Sequence, residues 1–311
     1  MALLINVQQP EWMTDEGLRE ELAPFLPGKT LYYGYPDKPM PDVTMLAVVK
    51  LMPGLLEMLP NLKLVQKLGA GVDGIVGNGK FPSNLRLARL RPDAPADEIA
   101  EYCLAYVLRF QRNMPLHETS ALDREWMPVP PRRAFETTVA VLGLGHIGAR
   151  IAKLFTHLGF HVIGWSRTQK TIHGVECHCG TEALDPILSD ADYVVSILPS
   201  TNETIGLFHA ERLAGMKAGA VFINAGRGDL IVDEDLVAAL NAGRPAHAIL
   251  DVFPQEPLPK THKFWNHPCI TVTPHVSGWH LGDGIKDVAE NYLRLCEGRE
   301  LLNEVDPRRG Y

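Results

Sequence analysis

Short, continuous apolar runs alternate with amphipathic segments along most of the chain. Strands that are apolar at every position lie in parallel sheets whose two faces are covered by helices. The pattern therefore predicts an α/β protein with a Rossmann-type, doubly wound parallel sheet and right-handed crossovers. The runs that predict strands are LLINV (3–7), MLAVV (45–49), LKLVQKL (62–68), TVAVLGLG (138–145), FHVIGW (160–165), DYVVSIL (192–198), AVFINAG (220–226) and AHAILDVF (246–253).

A long amphipathic segment divides this pattern in two. Residues 97–114 have apolar positions at helical spacing, with Asp97 as the predicted N-cap. A proline-rich stretch at 126–135 follows, and a last helical pattern at 287–295 can return the chain to its beginning. We predict a boundary near residue 100, with a smaller α/β unit before it and a cleft between two domains as the place for a ligand.

Composition and charge argue against several kinds of binding partner. The 311 residues carry a formal charge of −7, which argues against binding to nucleic acid or to an anionic membrane surface. Five cysteines form a sparse, odd set, as in proteins of a reducing cytosol, and Cys177-His-Cys179 lacks the second ligand pair of a zinc site. We find neither a signal-peptide pattern nor the ~18 apolar residues of a membrane span. We therefore expect a cytoplasmic protein without a metal, a nucleic-acid partner or a membrane partner.

A glycine-rich turn follows the strand predicted at 138–142. Gly143-Leu-Gly145-His-Ile-Gly148 matches G-x-G-x-x-G, and the amphipathic helix that it opens stops at Gly159. This strand–turn–helix context is typical of dinucleotide binding. We expect Gly143 to permit the tight turn, Gly145 to let the pyrophosphate approach the backbone, and Gly148 to allow close packing of helix on strand.

The strand after this helix ends without an acidic residue. NAD-binding proteins place a carboxylate there for the ribose hydroxyls, but this chain has Ser166-Arg167-Thr168. A guanidinium and hydroxyls suit the 2′-phosphate of NADP. The alternative is an arginine that is merely solvated after a strand. The sequence therefore predicts that NADPH is preferred and that NAD is a possible second cofactor.

Three polar residues follow three later apolar runs: Arg227, Glu256 and His275. Ligands of parallel sheets bind beyond the carboxyl ends of the strands, so these side chains are expected to converge. Taken one at a time, a loop arginine, a surface glutamate and a core histidine are equally good interpretations. Together they form a hydride-transfer site, in which the arginine clamps a carboxylate and the histidine, paired with the glutamate, donates a proton.

Arg227 stands between Gly226 and Gly228, which raises the question of why nothing bulky flanks it. It is either a surface arginine in an ordinary strand-to-helix turn or a guanidinium to which the glycines give a ligand access. We expect the second, because a dinucleotide cofactor and a substrate carboxylate would both have to approach this turn.

These motifs resemble the D-isomer-specific 2-hydroxyacid dehydrogenase family over almost the whole chain. Within that family, WSRT (165–168) and the closing VDPRRGY (305–311) are similar to the glyoxylate/hydroxypyruvate reductase group. The other segments that carry the resemblance are KLGAGVDG (67–74), VLGLGHIG (141–148), ILPSTNET (197–204), INAGRGDLIVDEDLVAAL (223–240), DVFPQEPLP (251–259) and TPHVSGW (273–279).

The resemblance implies a fold, an assembly and a set of site residues. It implies a flavodoxin-like substrate domain split between 1–100 and 280–311, a nucleotide-binding Rossmann domain at 101–279, and a homodimer. It implies that Arg227 binds substrate, that Glu256 is the partner of His275, and that His275 is the acid/base. Substrate contacts are implied for Lys50, Leu68, Gly69, Ala70, Gly71, Val72 and Trp279. Cofactor contacts are implied for Gly143, Gly145, His146, Ile147, Gly148, Ser166, Arg167, Thr168, Leu198, Pro199, Ala225, Gly226 and Asp251.

The sequence thus predicts NADPH-dependent reduction of a small 2-oxo acid, of the glyoxylate or hydroxypyruvate type, to the 2-hydroxy acid. Lys50 departs from the bulky apolar residue typical of the reductase group, so it either contacts a polar substrate or extends into solvent. Two alternatives stay open. One is a phosphoglycerate- or phosphonate-type dehydrogenase of the same family. The other is a non-catalytic protein that senses a dinucleotide on this scaffold.

Overall fold

A computed structural model describes residues 1–76 and 81–307. The segment 308–311 of the VDPRRGY motif lies outside the described residues. The strands, numbered in chain order, are β1 (Ala2–Asn6), β2 (Thr30–Tyr33), β3 (Val43–Val48), β4 (Leu64–Lys67), β5 (Arg86–Ala88), β6 (Thr138–Leu142), β7 (His161–Ser166), β8 (Glu176–Cys179), β9 (Tyr193–Ser196), β10 (Val221–Asn224), β11 (His247–Leu250), β12 (Ile270–Val272) and β13 (Glu304–Val305).

Helices alternate with these strands, as the apolar pattern predicts. They are α1 (Asp15–Leu22), α2 (Asp73–Val76), α3 (Asp93–Gln111), α4 (Met114–Leu122), α5 (His146–His157), α6 (Leu184–Asp190), α7 (Ala210–Ala214), α8 (Asp233–Asn241) and α9 (Gly284–Glu297). None of the helices within the described residues is long and apolar enough to span a bilayer.

The first compact unit comprises Met1–Ala94 and Trp279–Tyr311. Its sheet has the order β13-β5-β4-β3-β1-β2, and the pairs are parallel except for β13 against β5. Alternate residues of β1 enter opposite cores: Leu3 and Ile5 on one face, Ala2 and Leu4 on the other. Both faces are therefore buried, which explains why this strand is apolar almost throughout.

The second compact unit comprises Pro95–Gly278. Its sheet has the order β12-β11-β10-β9-β6-β7-β8, and all its pairs are parallel. Because the chain starts in the middle at β6 and returns across it to β9, the strand order reverses between these two strands. Crevices at such switch points, beyond the carboxyl ends of the strands, are where doubly wound sheets bind ligands.

The predicted α/β class with parallel sheets is confirmed, but the prediction of the long helix is wrong at its start. The helix α3 begins at Asp93, so Asp97 lies inside it and is not the N-cap. Pro95 falls in the first turn, where its missing N–H is tolerated. The helix ends at Gln111 rather than at residue 114, and Asn113, with φ of 52°, starts α4. The compact units divide at 94/95 and 278/279, whereas the sequence places the boundaries at 100/101 and 279/280.

Candidate active site

Three neighbouring strands of the second unit carry the residues predicted for catalysis. The strands β10, β11 and β12 are adjacent and parallel, so their carboxyl ends lie along one edge of the sheet. Arg227 follows β10 by three residues, Glu256 lies in the loop after β11, and His275 lies three residues beyond β12. The sheet thus brings together side chains that are separated by up to 48 residues in sequence (275 − 227).

His275 and Glu256 form a direct pair. The Nδ1 atom of His275 lies 2.8 Å from Oε2 of Glu256. Since an ionised carboxylate can only accept, Nδ1 carries the hydrogen, and Nε2 is left as the nitrogen that exchanges a proton with a ligand. The other carboxylate oxygen, Oε1, accepts the N–H of Phe253 at 2.9 Å. Glu256 is therefore held at both oxygens and fixes the orientation of the imidazole.

The charge of Glu256 is stabilised in this setting. Burial by itself would raise the pKa of Glu256, but the hydrogen bond and charge of His275, the N–H of Phe253 and the positive charge of Arg227 together lower its pKa below the ordinary value. A carboxylate that stays ionised stabilises a protonated imidazole next to it. This is the electrostatic arrangement that a general acid needs.

A buried aspartate holds the loop that carries His275. Asp251 is fully buried at the end of β11, and its Oδ1 accepts the hydroxyl of Thr273 at 2.6 Å and the N–H of Val276 at 2.9 Å. Its Oδ2 accepts the N–H of Ser277 at 2.9 Å, and its backbone carbonyl accepts the N–H of His275 at 2.9 Å. Sequence patterns give Asp251 only as a cofactor contact, which stays a prediction, and they do not indicate this structural role.

The backbone of His275 adopts an uncommon conformation. Its φ is 55°, in the left-handed region that disfavours residues other than glycine. Such a conformation persists where the surroundings over-determine it, as the four bonds to Asp251 do here. The strand end β12 and the buried aspartate therefore present the imidazole together.

The turn that carries Arg227 is packed against two neighbouring loops. A Cβ at Gly228 would lie 2.2 Å from the carbonyl carbon of Phe253, and a Cβ at Gly226 would lie 2.7 Å from the carbonyl oxygen of Leu198. The explanation that both glycines give a ligand access is therefore wrong, because backbone of the protein fills both directions. The glycines instead let the Arg227 turn approach the loop that carries Glu256.

Arg227 itself is half-buried and lies within this packed turn. Its Nη1 donates to the carbonyl of Gly226 at 2.7 Å, and the buried side chain of Asn224 donates to the carbonyl of Arg227 at 2.7 Å. Oδ1 of the same asparagine accepts the N–H of Gly226 at 3.2 Å. Asn224 thus closes the turn and sets the direction in which the arginine leaves the backbone.

Steric limits explain two of the three glycines in the turn after β6. Gly143 has φ of 104°, and a Cβ at Gly148 would lie 1.8 Å from the carbonyl oxygen of Gly143, so neither position accepts a side chain. Gly145 is the N-cap of α5, and a Cβ there would meet nothing within 4 Å. Two glycines therefore shape the turn, and the third leaves space at the helix N-terminus, where His146 and Ile147 begin the helix.

The three residues at the end of β7 are not equally exposed. Ser166 is buried and its hydroxyl donates to the carbonyl of Thr168 at 2.9 Å. Arg167 and Thr168 are exposed. Ser166 thus shapes the turn, whereas the side chains of Arg167 and Thr168 lie at the surface.

The family resemblance implies substrate contacts in two loops of the first unit and at the position where the chain re-enters this unit. Leu68–Val72 follows β4; within it Leu68 and Val72 are buried and the three residues between them are half-buried. Lys50 is exposed two residues beyond β3, and Trp279 is half-buried where the chain re-enters this unit. In the second unit, Leu198 and Ala225 are buried and Pro199 is half-buried.

Comparisons with known proteins show the family to which the chain belongs. A family model for the D-isomer specific 2-hydroxyacid dehydrogenase, NAD binding domain, matches residues 104–277. The chain belongs to the D-isomer-specific 2-hydroxyacid dehydrogenase family. It is 38% identical, over 82% of its own length and 84% of the relative's, to the glyoxylate/hydroxypyruvate reductase A of Serratia proteamaculans. As a member of this family it is an NAD(P)-dependent oxidoreductase.

Two solved structures of the family match this chain over its whole length. A D-isomer specific 2-hydroxyacid dehydrogenase from Xanthobacter autotrophicus Py2, in complex with NADPH and MES, is 38% identical and has a TM-score of 0.92, covering 100% of this chain and 99% of that one. An NADPH-dependent glyoxylate/hydroxypyruvate reductase from Sinorhizobium meliloti, in complex with NADP and sulfate, is 30% identical with a TM-score of 0.91 and covers 100% of both chains.

Among the described residues of this dehydrogenase, no cluster of three or more His, Cys, Asp or Glu side chains could hold a metal ion.

Proposed function

We propose that this dehydrogenase uses NADPH to reduce small 2-oxo acids, of the glyoxylate or hydroxypyruvate type, to 2-hydroxy acids. The observation that carries the proposal is the 2.8 Å contact between His275 and Glu256, beside the turn of Arg227. The curated relatives with 35–38% identity that bear the name glyoxylate/hydroxypyruvate reductase A support the substrate class.

Arg227 is proposed to bind the carboxylate of the substrate. A guanidinium can form two parallel hydrogen bonds to a carboxylate, and its charge also polarises the adjacent carbonyl. The turn that holds it is closed by Asn224 and packed through Gly228, so the arginine is oriented before a ligand arrives. An oriented clamp costs less entropy on binding than a mobile one.

His275 is proposed to donate the proton that the developing alkoxide takes up. Its Nδ1 is committed to Glu256, so Nε2 carries the exchangeable proton in the imidazolium form. Glu256 stabilises that positive charge before the transfer and keeps the ring in place afterwards. In the reverse direction, the neutral Nε2 accepts the hydroxyl proton of the 2-hydroxy acid.

The residues around α5 and β7 are proposed to hold NADPH. The turn at Gly143, Gly145 and Gly148 fits a pyrophosphate, because it leaves open space at a helix N-terminus whose N–H groups favour anions. Arg167 is exposed where a 2′-phosphate would be recognised, with Thr168 beside it. When bound, NADPH supplies the hydride that reduces the 2-oxo carbon.

The loop Leu68–Val72 is proposed to contribute backbone N–H groups to the substrate carboxylate, with Trp279 as a further contact. Small residues at 69–71 leave these amides accessible to an anion. Lys50 is proposed to favour a substrate with a second polar group. A homodimer and a cytoplasmic location also stay predictions.

The test is a substrate panel with NADPH and with NADH as alternative cofactors. We expect turnover of glyoxylate and hydroxypyruvate with NADPH. We expect Arg227→Ala to raise KM and lower kcat, because the clamp holds both ground state and transition state. Arg244→Ala is the matched control, since Arg244 is an exposed arginine in the same unit. Binding of NADPH without turnover of any 2-oxo acid would contradict the proposal.

A further inference from the structure

Three consecutive backbone carbonyls in the loop at 68–72 accept hydrogen bonds. The carbonyl of Gly69 accepts the N–H of Leu90 at 3.0 Å, and the carbonyl of Ala70 accepts Nη1 of Arg89 at 3.2 Å. One residue earlier, the carbonyl of Leu68 accepts Nζ of Lys67 at 3.1 Å. Three consecutive carbonyls are therefore held by residues that end β4 or follow β5.

Fixed carbonyls determine where the next N–H groups point. A trans peptide unit is planar, and its N–H points away from its C=O. The bond to Leu90 thus sets the N–H of Ala70, and the bond to Arg89 sets the N–H of Gly71. Within the described residues these two N–H groups donate to no protein acceptor. Two oriented donors are left for a ligand, and they are the amides that the proposed function assigns to the substrate carboxylate.

Arg89 also brings a charge to this loop. Burial and the charge of Arg91 lower the pKa of Arg89, yet a guanidinium stays protonated at neutral pH because its ordinary pKa is far above it. Arg89 forms an ion pair with no carboxylate of the described residues. Burying a charge without a counter-charge is unfavourable, and an anion bound at the neighbouring amides would compensate it.

We infer that Arg89 is a positioning residue for the substrate carboxylate, which presets the Gly71 amide and supplies the positive charge behind the loop. The inference rests on the proposed function, because it takes the loop as the place where the carboxylate binds. The chain anchors Arg89 itself through its N–H, which donates to the carbonyl of Asn303 at 3.2 Å. The side chain therefore extends toward the loop from a fixed backbone position.

The matched variants are Arg89→Met and Arg86→Met. Both remove one arginine beside β5, where Arg86 begins the strand and Arg89 follows it. Arg86 pairs with Glu304 through two bonds of 2.7 Å, and its side chain has no hydrogen bond to the loop within the part of the chain that the structure describes. We expect Arg89→Met to raise KM for glyoxylate and the inhibition constant of oxalate by roughly 10-fold or more, as for a lost hydrogen bond that involves a charge. The control should leave both values and the Kd of NADPH unchanged.

A second measurement separates positioning from general destabilisation. The ratio of kcat/KM for glyoxylate to that for its methyl ester reports recognition of the carboxylate charge. This ratio should fall in Arg89→Met and stay at the wild-type value in Arg86→Met. If Arg89→Met does not fold, Arg89→Lys, which keeps a cation but loses the planar fork, should give an intermediate ratio.

The outcomes distinguish this inference from the function on which it rests. If the wild-type protein reduces glyoxylate but Arg89→Met and Arg89→Lys keep the wild-type ratio and oxalate affinity, the inference is overturned and the function stands. If the wild-type protein turns over no 2-oxo acid and does not bind oxalate, both are overturned.

Discussion

Nδ1 of His275 lies 2.8 Å from Oε2 of Glu256, whose other oxygen accepts the N–H of Phe253 at 2.9 Å. The glutamate therefore connects the imidazole to the backbone of the loop that packs against the Arg227 turn. This arrangement couples the orientation of the proposed acid to that of the proposed carboxylate clamp. Gly228 allows the contact, because a side chain there would overlap Phe253.

Removing the imidazole tests its role as proton donor. We expect His275→Ala to lower kcat by ~10²–10⁴, the usual contribution of general acid–base catalysis. The affinity for NADPH should stay near the wild-type value, because His275 lies outside the glycine-rich turn. Steady-state kinetics and fluorescence titration with NADPH measure the two effects. A kcat within a factor of about two of wild type would remove His275 from the mechanism.

The charge of Glu256 should determine the pH range of activity. The pKa of Glu256 is lowered, so in the wild type its negative charge persists as pH falls below the ordinary value of 4.5 and is lost only at lower pH. In Glu256→Gln the imidazolium of His275 loses this stabilising charge. The proposed reduction requires the protonated ring, so the alkaline limb of the kcat/KM profile should move to lower pH. A profile that coincides with that of the wild type would contradict the pairing.

A methyl group at Gly228 should disturb the proposed catalytic pair, His275 and Glu256, through the backbone of Phe253. In Gly228→Ala the new carbon would lie 2.2 Å from the backbone of Phe253, so the two loops have to separate. We expect a destabilisation of ~1–3 kcal/mol, typical of overpacking, together with a lower kcat/KM. Gly74→Ala is the control, because a Cβ there meets nothing within 4 Å. Urea unfolding measures the difference, and equal stabilities would contradict the packing explanation.

Cofactor preference should depend on Arg167. A lost hydrogen bond to a charged group corresponds to ~1.5–3 kcal/mol, which weakens binding by roughly 10- to 150-fold. Arg167→Ala should therefore weaken NADPH by that factor and leave NADH almost unchanged. Lys170→Ala, also exposed three residues later, is the matched control. Equal weakening of both cofactors would show that Arg167 does not bind the 2′-phosphate.

The stability of the second unit should fall in acid through Asp192. The carboxylate of Asp192 accepts hydrogen bonds from the side chains of Arg132 and Lys217 and from the N–H of Thr138. Burial by itself would raise the pKa of Asp192, but these donors lower it below 3.8. A lowered native pKa contributes stability above the unfolded value and loses it as pH falls through the native value. The difference in unfolding free energy between wild type and Asp192→Asn should thus be full above pH 3.8 and shrink below it. Urea unfolding at several pH values measures this difference, with Asp190→Asn, at an exposed neighbour, as the control variant. A difference that stays constant as pH falls would contradict the assignment.

Local patterns in the sequence predict the α/β class with parallel sheets and the residues of the proposed site. The apolar runs predict most of the central strands because both faces of a parallel sheet are buried. They miss β2, β8 and β13, which lie at sheet edges where the pattern is weaker, and also the three-residue β5, which lies inside the first sheet between β13 and β4. The residues Arg227, Glu256 and His275 could be predicted to converge because each follows a strand, and parallel strands end at one edge. The glycine-rich turn is likewise recognisable, since its spacing reflects steric limits within one short segment.

Only the tertiary structure decided what these residues contact. A side chain at Gly226 would overlap the backbone of Leu198, and one at Gly228 would overlap the backbone of Phe253. Each partner lies more than 24 residues away along the chain, so no local pattern can reveal the reason for either glycine. Asp251 holds the His275 loop because two strand ends are adjacent, and adjacency follows from the strand order of the folded sheet. Packing and hydrogen bonding between distant segments depend on that order, whereas the sequence by itself records only which segments form strands and turns.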